Sequence, residues 1–241
     1  MSEKGTLYLV PTPICEQGIH TIPAYVIDTL HQLDVFIAER VRTARRFIAS
    51  TDPPGSIDDM TFYELSKRTP HEEIPRMLAP LDEGRNVGLL SEAGCPGIAD
   101  PGAAVISMAH RRNYTVIPLV GPSSILLALM ASGLNGQQFA FRGYLPRKAH
   151  LLGRELKKLE RISSKNDQTQ IFIETPYRNN QLVKEVLRSL SPETRFCIAC
   201  DLSAEEEFVS TRRVSEWKNT PPPDLHKRPA IFLLYSGRSL R

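Results

Sequence analysis

A loop of small residues and carboxylates, residues 91–102, is the segment whose composition best suits chemistry. It follows an apolar run, residues 87–90, and holds three glycines, two prolines and two carboxylates before a helix-like segment begins at Ala103. Glycines let a backbone approach a ligand closely, and α/β sheets hold ligands in loops at the carboxyl ends of their strands. The alternative is a rigid turn in which Asp100 caps the following helix. We expect a ligand-binding loop.

Two further loops are expected at the same edge of a sheet. Residues 11–13 follow a strand-like segment, and residues 121–124 open a helix after another one. Because parallel strands bring their carboxyl ends together, the three loops should converge. Ser123 or Ser124 suits the first helical turn, where free amides could hold a polar group. The sequence has neither a G-x-x-x-x-G-K-[ST] loop nor a G-x-G-x-x-G loop, so a bound nucleotide would not be held mainly by its phosphates.

The elements that must position these loops alternate in the first half of the chain. Strands are predicted at residues 6–10, 35–38, 86–91 and 115–119, and helices at 23–33, 41–48, 72–81 and 103–111. Residues 50–60 are predicted to be a loop. This alternation indicates a mainly parallel sheet with helices on both faces.

The second half has a different pattern. Strands are predicted at residues 139–144, 170–174, 195–200, 207–213 and 229–235, and helices at 125–131, 151–162, 176–190 and 215–218, with a polar loop at 163–167. The last three strands have only one short helical segment among them, which favours a mixed sheet with antiparallel pairs. We predict two α/β domains, residues 1–119 and 120–241.

Composition and cysteine spacing exclude several classes of protein. The 241 residues carry a net charge of +3, which permits but does not establish a nucleic-acid partner. The sequence has no apolar run of about 18 residues and no signal-peptide core, so we expect a cytoplasmic protein without a membrane span. Cys197 and Cys200 form a C-x-x-C spacing in a strand-like run without a second pair, so we predict core cysteines and no metal site.

Several segments together resemble a known family. Residues 5–14 (GTLYLVPTPI), 91–102 (SEAGCPGIADPG), 120–146 and 172–178 (FIETPYR) are similar to signatures of the tetrapyrrole methylase superfamily, the class III S-adenosylmethionine-dependent methyltransferases. Within it the chain most resembles the ribosomal RNA small subunit methyltransferase I group, which methylates a cytidine ribose 2′-hydroxyl. The resemblance implies two α/β domains with S-adenosylmethionine in the cleft between them, usually in a homodimer.

The resemblance and the converging loops together give a set of cofactor-binding residues. These are Pro11, Thr12, Ser91, Glu92, Ala93, Gly94, Pro96, Ile98, Ser123, Ser124, Glu174, Pro229 and Ala230. Methyl transfer is an in-line displacement, so positioning is the main task of such residues. A 2′-hydroxyl acceptor also needs a base, and Glu92 and Glu39 are both candidates by their location at strand ends.

Basic residues after the second predicted strand point to the acceptor. Arg40, Arg42, Arg45 and Arg46 form a basic cluster that could bind RNA phosphates, with RNA or the small ribosomal subunit as partner. The predicted substrate-binding residues among them are Arg40, Arg42 and Arg45. The alternative is a solvated helix face.

The chain departs from the group's pattern on the acceptor side. Cys15-Glu16 replaces Gly-Asn, Arg40-Val41 replaces Asp-Thr, and Glu92 replaces an aspartate. Because of these departures, two alternatives to RNA methylation stay open. The acceptor could be a tetrapyrrole or other small molecule, or the protein could bind S-adenosylmethionine without catalysis.

Overall fold

The computed structural model describes residues 3–99, 101–220 and 222–237. Asp100 lies outside these ranges, and with it the predicted helix cap. Packing divides the chain into two compact units, Met1–Ser123 and Ser124–Arg241.

The first unit is built on a five-stranded parallel sheet. Its strands are β1 (Thr6–Val10), β2 (Val35–Ala38), β3 (Thr61–Glu64), β4 (Val87–Leu90) and β5 (Thr115–Pro118), in the order β3-β2-β4-β1-β5. Every pair is parallel, as the alternation predicts. The central strands β2 and β4 are buried along their whole length, which explains their continuous apolar sequences.

Helices cover both faces of this sheet. They are α1 (Ala24–Leu30), α2 (Val41–Ala49), α3 (Ile74–Asp82) and α4 (Ala103–Arg111). Alternate residues of β2 enter different cores: Ile37 packs with α3 and α4, whereas Phe36 packs with α1 and α2. This period of two is the ordinary alternation of a strand between two helical layers. The predicted fold of this half is therefore confirmed.

Strand β3 is not among the predicted strands. It pairs only with β2, at the edge of the sheet, and its residues are half-buried or exposed. An edge strand of four residues that follows a Pro/Gly/Asp-rich loop carries too weak an apolar pattern to stand out. Phe62 nevertheless stacks on Phe36, with ring centroids 5.4 Å apart, which fixes the strand in place.

The second unit contains the predicted mixed sheet. Its strands are β6 (Phe139–Tyr144), β7 (Thr169–Ile173), β8 (Arg195–Cys200), β9 (Phe208–Arg213) and β10 (Ala230–Tyr235), in the order β6-β7-β10-β8-β9. Only β6 and β7 pair in parallel; the other pairs are antiparallel. The helices are α5 (Ser124–Ser132), α6 (Ala149–Asn166), α7 (Asn179–Ser189) and α8 (Val214–Asn219). Phe172, Phe196 and Phe232 stack in the core, and Trp217 Nε1 donates to the Phe196 carbonyl at 2.8 Å.

Helix α6 extends beyond its predicted end. The polar loop predicted at 163–167 is wrong, because the helix continues to Asn166 and ends at Asp167, whose φ is 52°. Ser163 is fully buried, and its hydroxyl accepts a hydrogen bond from the Ser236 amide at 2.9 Å. A tertiary partner thus stabilises a last helical turn whose own sequence favours a loop.

The C-x-x-C pair lies in the core, as predicted. Cys197 and Cys200 in β8 are fully buried, and burial raises the pKa of their thiols to about 11 and about 12. Within the described ranges, no cluster of His, Cys, Asp and Glu side chains could hold a metal ion. None of the helices in those ranges is long and apolar enough to cross a membrane.

Candidate functional site

The loop after β4 is hydrogen-bonded to the loop after β1. The Thr12 amide donates to the Gly94 carbonyl at 2.9 Å, and the Gly94 amide donates to the Thr12 carbonyl at 3.0 Å. The Ser91 hydroxyl also donates to the Gly94 carbonyl, at 2.7 Å. Pro11, Thr12 and Ser91 are buried, so packing also restrains these two loops. Thr12 and Ser91 therefore fix the backbone around Gly94.

The loop after β5 joins the same cluster. Gly94 has a φ of +81°, and a Cβ there would lie 3.2 Å from the Pro122 carbonyl oxygen. A Cβ on Gly121 would lie 2.2 Å from Cβ of Pro11, so only glycine fits at that position. The Cys95 thiol donates to the Pro122 carbonyl at 3.4 Å. The predicted convergence of the three loops is confirmed within the first unit, because β4, β1 and β5 are neighbours.

The remaining predicted residues of these loops differ in exposure. Pro96 is buried and Ser123 is half-buried, whereas Ala93 and Ile98 are exposed. Ser124 is the first residue of α5. The exposed side chain of Ile98 and the exposed backbone of Ala93 are available to a ligand, while Pro96 stiffens the loop between them.

The two candidate carboxylates have different surroundings. Oε1 of Glu92 is buried without a hydrogen-bond partner among the described residues, and Oε2 lies 3.8 Å from Nε of Arg40. Glu39 follows β2 and is half-buried beside a small cavity that Ser91 and Gly97 also line. A buried carboxylate oxygen without a hydrogen-bond partner is uncommon, because each missing hydrogen bond costs about 1–3 kcal/mol of stability. Such an oxygen suits a ligand group that donates a hydrogen bond.

The arginines predicted to bind RNA divide into two kinds. Arg40 and Arg42 are exposed. Arg45 instead pairs with Asp58, donates to the Ile57 carbonyl at 3.2 Å and lies 5.5 Å over the ring of Phe62. Its contacts hold the loop 50–60 against α2.

Arg46 is the fourth member of the basic cluster that the sequence shows, beyond the three arginines predicted to bind RNA. It is exposed and lines, with Arg45, a groove of about 550 Å³ beside that loop. Its signal in the sequence is the helical spacing, since Arg42 and Arg46 are four residues apart on one face of α2.

In the second unit, Glu174 lies beside Pro229 and Ala230. Ile173 of β7 pairs with Ile231 of β10, which places Glu174 next to Ala230 at one edge of the sheet. The Glu174 carboxylate is buried, accepts a hydrogen bond from the Thr175 amide at 2.8 Å and lies 3.1 Å from Nε of Arg178. The sheet thus brings together the residues predicted in this unit to bind cofactor.

Asn179 is a supporting residue that the sequence analysis missed. It is fully buried, and its side-chain amide donates to the carbonyls of Arg228, at 2.6 Å, and Leu225, at 3.4 Å. Arg228 in turn pairs with Asp201, whose amide donates to the Pro229 carbonyl at 3.0 Å. These bonds hold the segment that leads into Pro229 and Ala230. Its only signal is an asparagine at a helix start, which is a common anchoring position.

Comparison with known proteins gives close agreement along the chain. The ribosomal RNA small subunit methyltransferase I of Leptospira biflexa is 30% identical over 242 residues, which cover 96% of this chain and 91% of that protein. The protein of that name from Halalkalibacterium halodurans is 32% identical over 185 residues, covering 77% of this chain and 60% of that protein. Among solved structures, uroporphyrin-III C-methyltransferase from Thermus thermophilus, complexed with S-adenosylhomocysteine, has a TM-score of 0.56 at 19% identity. It covers 96% of this chain and 97% of that one, and shares the fold.

The sequence profile of the tetrapyrrole (corrin/porphyrin) methylases matches residues 6–217, which include every strand except β10. The match spans both sheets and the three converging loops. The chain therefore belongs to the tetrapyrrole methylase family and is an S-adenosylmethionine-dependent methyltransferase.

Proposed function

We propose that this protein methylates a ribose 2′-hydroxyl of small-subunit ribosomal RNA. The observation that carries the proposal is the near end-to-end likeness to the Leptospira biflexa relative, 96% of this chain and 91% of that protein, whose name states the RNA substrate. The whole-protein activity is a proposal, since the chain spans only 60% of the Halalkalibacterium halodurans relative. Exposed arginines after β2 are consistent with an anionic acceptor.

The residues of the converging loops fit S-adenosylmethionine. Gly94 is bonded to Thr12 through both its amide and its carbonyl, which fixes the loop in which Ala93 and Ile98 are exposed to a ligand. When bound, S-adenosylmethionine supplies an electrophilic methyl group on its sulfonium. Pro11, Thr12, Ser91 and Gly94 would hold it in the first unit. Glu174, Pro229 and Ala230 would hold it in the second.

We assign the general base to Glu92 rather than Glu39. Its Oε1 has an unused acceptor position, and Nε of Arg40 lies 3.8 Å from Oε2. The ribose 2′-hydroxyl would transfer its proton to this carboxylate as its oxygen bonds to the methyl carbon. The sulfur–methyl bond of the cofactor would break in the same displacement, with S-adenosylhomocysteine as the leaving group. Correct placement of oxygen and methyl carbon in line contributes up to about 7–11 kcal/mol, so the rigid hydrogen-bonded loop matters as much as the base.

The test is transfer of a labelled methyl group. Purified protein and methyl-tritiated S-adenosylmethionine are incubated with small ribosomal subunits, with naked small-subunit RNA and, separately, with tetrapyrroles. Label in a dinucleotide that resists alkaline hydrolysis identifies 2′-O-methylation, because alkaline cleavage requires a free 2′-hydroxyl. Label only in tetrapyrroles would replace the proposal with a small-molecule methyltransferase. Calorimetric binding of S-adenosylmethionine without transfer to any acceptor would indicate a catalytically inactive binding protein.

We also propose a cytoplasmic homodimer, which action on ribosomal RNA and membership of this family favour. Helix α5 supports the dimer, because it exposes Leu126 and Met130, with 51% and 78% of their surfaces accessible. The two residues are four apart and share a helix face, which suits an apolar contact. Light scattering of the purified protein tests the assembly, and a monomer mass would contradict it.

A further inference from the structure

Helix α6 carries a strip of positive charge that the converging loops do not use. At 100° per residue, its basic side chains fall within a sector about 100° wide. These are His150, Arg154, Lys157, Lys158, Arg161 and Lys165, and all are exposed. The two acidic residues of the helix, Glu155 and Glu160, lie outside this sector. At a rise of about 1.5 Å per residue, the strip from His150 to Lys165 is about 22 Å long.

The acidic residues of α6 have other partners. Glu160 accepts hydrogen bonds from the Ser191 amide, at 2.8 Å, and from the Thr194 hydroxyl. Glu155 pairs with Lys158 at 3.0 Å. In the part of the chain that the structure describes, Arg154, Lys157 and Arg161 have no ion pair. Glu155 thus neutralises Lys158, and the charges of Arg154, Lys157 and Arg161 remain on the strip.

A groove between α6 and α7 extends the strip at its amino-terminal end. It measures about 400 Å³ and is lined by His150, Gly153, Arg154 and Lys157 from α6. Gly153 lets α7 approach closely, because a Cβ there would lie 2.5 Å from Oε1 of Glu185. The buried Glu185 carboxylate of α7 thus lines the groove.

That carboxylate does not cancel the charge of the groove. Burial by itself would raise the pKa of Glu185, but Ser189, Arg188 and Lys157 outweigh it and lower the pKa. Arg188 lies 2.8 Å from Oε2, and the Ser189 hydroxyl donates to Oε1 at 2.6 Å. Glu185 and Arg188 neutralise each other, so the positive charge of Arg154 and Lys157 remains at the rim.

We infer that the α6 strip, with the adjoining α6–α7 groove, binds the phosphodiester backbone of RNA. The inference deepens the proposed function and rests on it. Successive phosphates present negative charge at regular short intervals, so a strip about 22 Å long can contact several of them. Arginine and lysine heads that are exposed and unpaired can form these contacts without first breaking an internal ion pair. The surface contributes affinity and orientation, with no role in the methyl transfer itself.

The test compares two double variants with equal loss of charge. Lys157→Gln with Arg161→Gln removes two charges from the strip, and Arg76→Gln with Lys218→Gln removes one arginine and one lysine from exposed positions on α3 and α8. Fluorescence anisotropy with labelled small-subunit RNA, from 50 to 300 mM KCl, measures affinity. We expect the strip variant to bind on the order of tenfold more weakly, with a salt slope lower by about 1.4, and the control to match wild type.

Activity measurements separate this inference from the proposed function. With intact subunits, the strip variant should show a raised KM, an unchanged kcat and an unchanged calorimetric Kd for S-adenosylmethionine. Equal RNA affinity of the strip and control variants would overturn the inference even if wild type methylates RNA. If the strip variant binds intact subunits more weakly but binds naked RNA normally, the inference would be overturned, and an acidic ribosomal protein would be the partner of the strip. If the strip variant binds RNA more weakly but wild type transfers no methyl group, the inference about the strip would stand and the proposed function would be wrong.

Discussion

At the residue scale, the assignment of the base to Glu92 can be tested against Glu39. Glu92→Gln keeps the shape and removes the proton acceptor, so we expect methyl transfer to fall by about 10²–10⁴-fold in kcat. Glu39→Gln is the matched variant at the end of the neighbouring strand β2, and it should retain most of the activity. Single-turnover methyl transfer to small subunits measures both. A larger loss in the Glu39 variant would move the base to that residue.

Gly94 provides a second test at this scale. Its φ of +81° and the 3.2 Å from a built Cβ to the Pro122 oxygen make both strain and crowding consequences of Gly94→Ala. Gly133→Ala is the control, because Gly133 has a φ of +65° and open space around its Cβ position. Gly133→Ala should lose about 1–2 kcal/mol of unfolding free energy, and Gly94→Ala should lose more, because crowding adds to the strain. Only Gly94→Ala should weaken S-adenosylmethionine binding, by at least about tenfold in calorimetry.

Wild-type affinity for S-adenosylmethionine in the folded Gly94→Ala variant would remove the loop after β4 from the binding site. Loss in both would indicate that backbone strain alone lowers affinity. The pair therefore separates the steric contribution of the Gly94 Cβ from its conformational cost, which a single substitution cannot do.

At the scale of elements, Asn179 connects the start of α7 to the segment before β10. Asn179→Ala removes the donor of the Arg228 carbonyl, whereas the Leu225 carbonyl still accepts from the Arg228 amide at 3.3 Å. We therefore expect a loss of about 1–3 kcal/mol of unfolding free energy in urea. Asn180→Ala is the neighbouring control, because Asn180 is half-buried and accepts from the Leu225 amide at 3.0 Å. Only the Asn179 variant should also bind S-adenosylmethionine more weakly. Unchanged affinity would show that Pro229 and Ala230 do not depend on this anchor.

Strand β8 gives a chemical test of burial. Below its ordinary pKa a thiol is protonated, and burial raises the pKa of Cys197 and Cys200 to about 11 and about 12. The stability gained from keeping these thiols neutral is therefore complete below about pH 9 and is lost as pH rises through the raised values. At pH 8 neither cysteine should react with a chromogenic disulfide until the protein unfolds. Peptide mapping that finds native labelling on β8 would contradict this burial.

The same elements show what could be predicted from the sequence. Strands such as β4 and β8 are continuous apolar runs, so local pattern and final burial agree. The convergence of the loops follows from parallel pairing alone. Strand β3 and the last turn of α6 were missed because Phe62 and Ser163 depend on tertiary partners, Phe36 and Ser236, that no local window contains. Asn179 and the pairing of Arg45 with Asp58 were missed for the same reason.

At the scale of the whole molecule, the net charge of +3 conceals a segregated distribution. Exposed arginines lie on α2, and the α6 strip carries a second set. Arg42→Ala with Arg46→Ala removes two exposed charges, and we expect RNA binding to weaken and its salt slope to fall by about 1.4. Arg45→Ala should change the slope by less than about 0.7, because Arg45 is already engaged with Asp58 and the Ile57 carbonyl.

Anisotropy titrations at several salt concentrations distinguish these cases, with calorimetric S-adenosylmethionine binding as the measure of intact folding. Equal slopes for wild type and the Arg42/Arg46 variant would make the α2 arginines a solvated face. A larger effect of Arg45 than of that pair would mean that RNA displaces Asp58, since a guanidinium held internally must exchange its partner to reach a phosphate. The order of the three slopes therefore reports which guanidinium groups of α2 contact RNA, independently of the affinity contributed by α6.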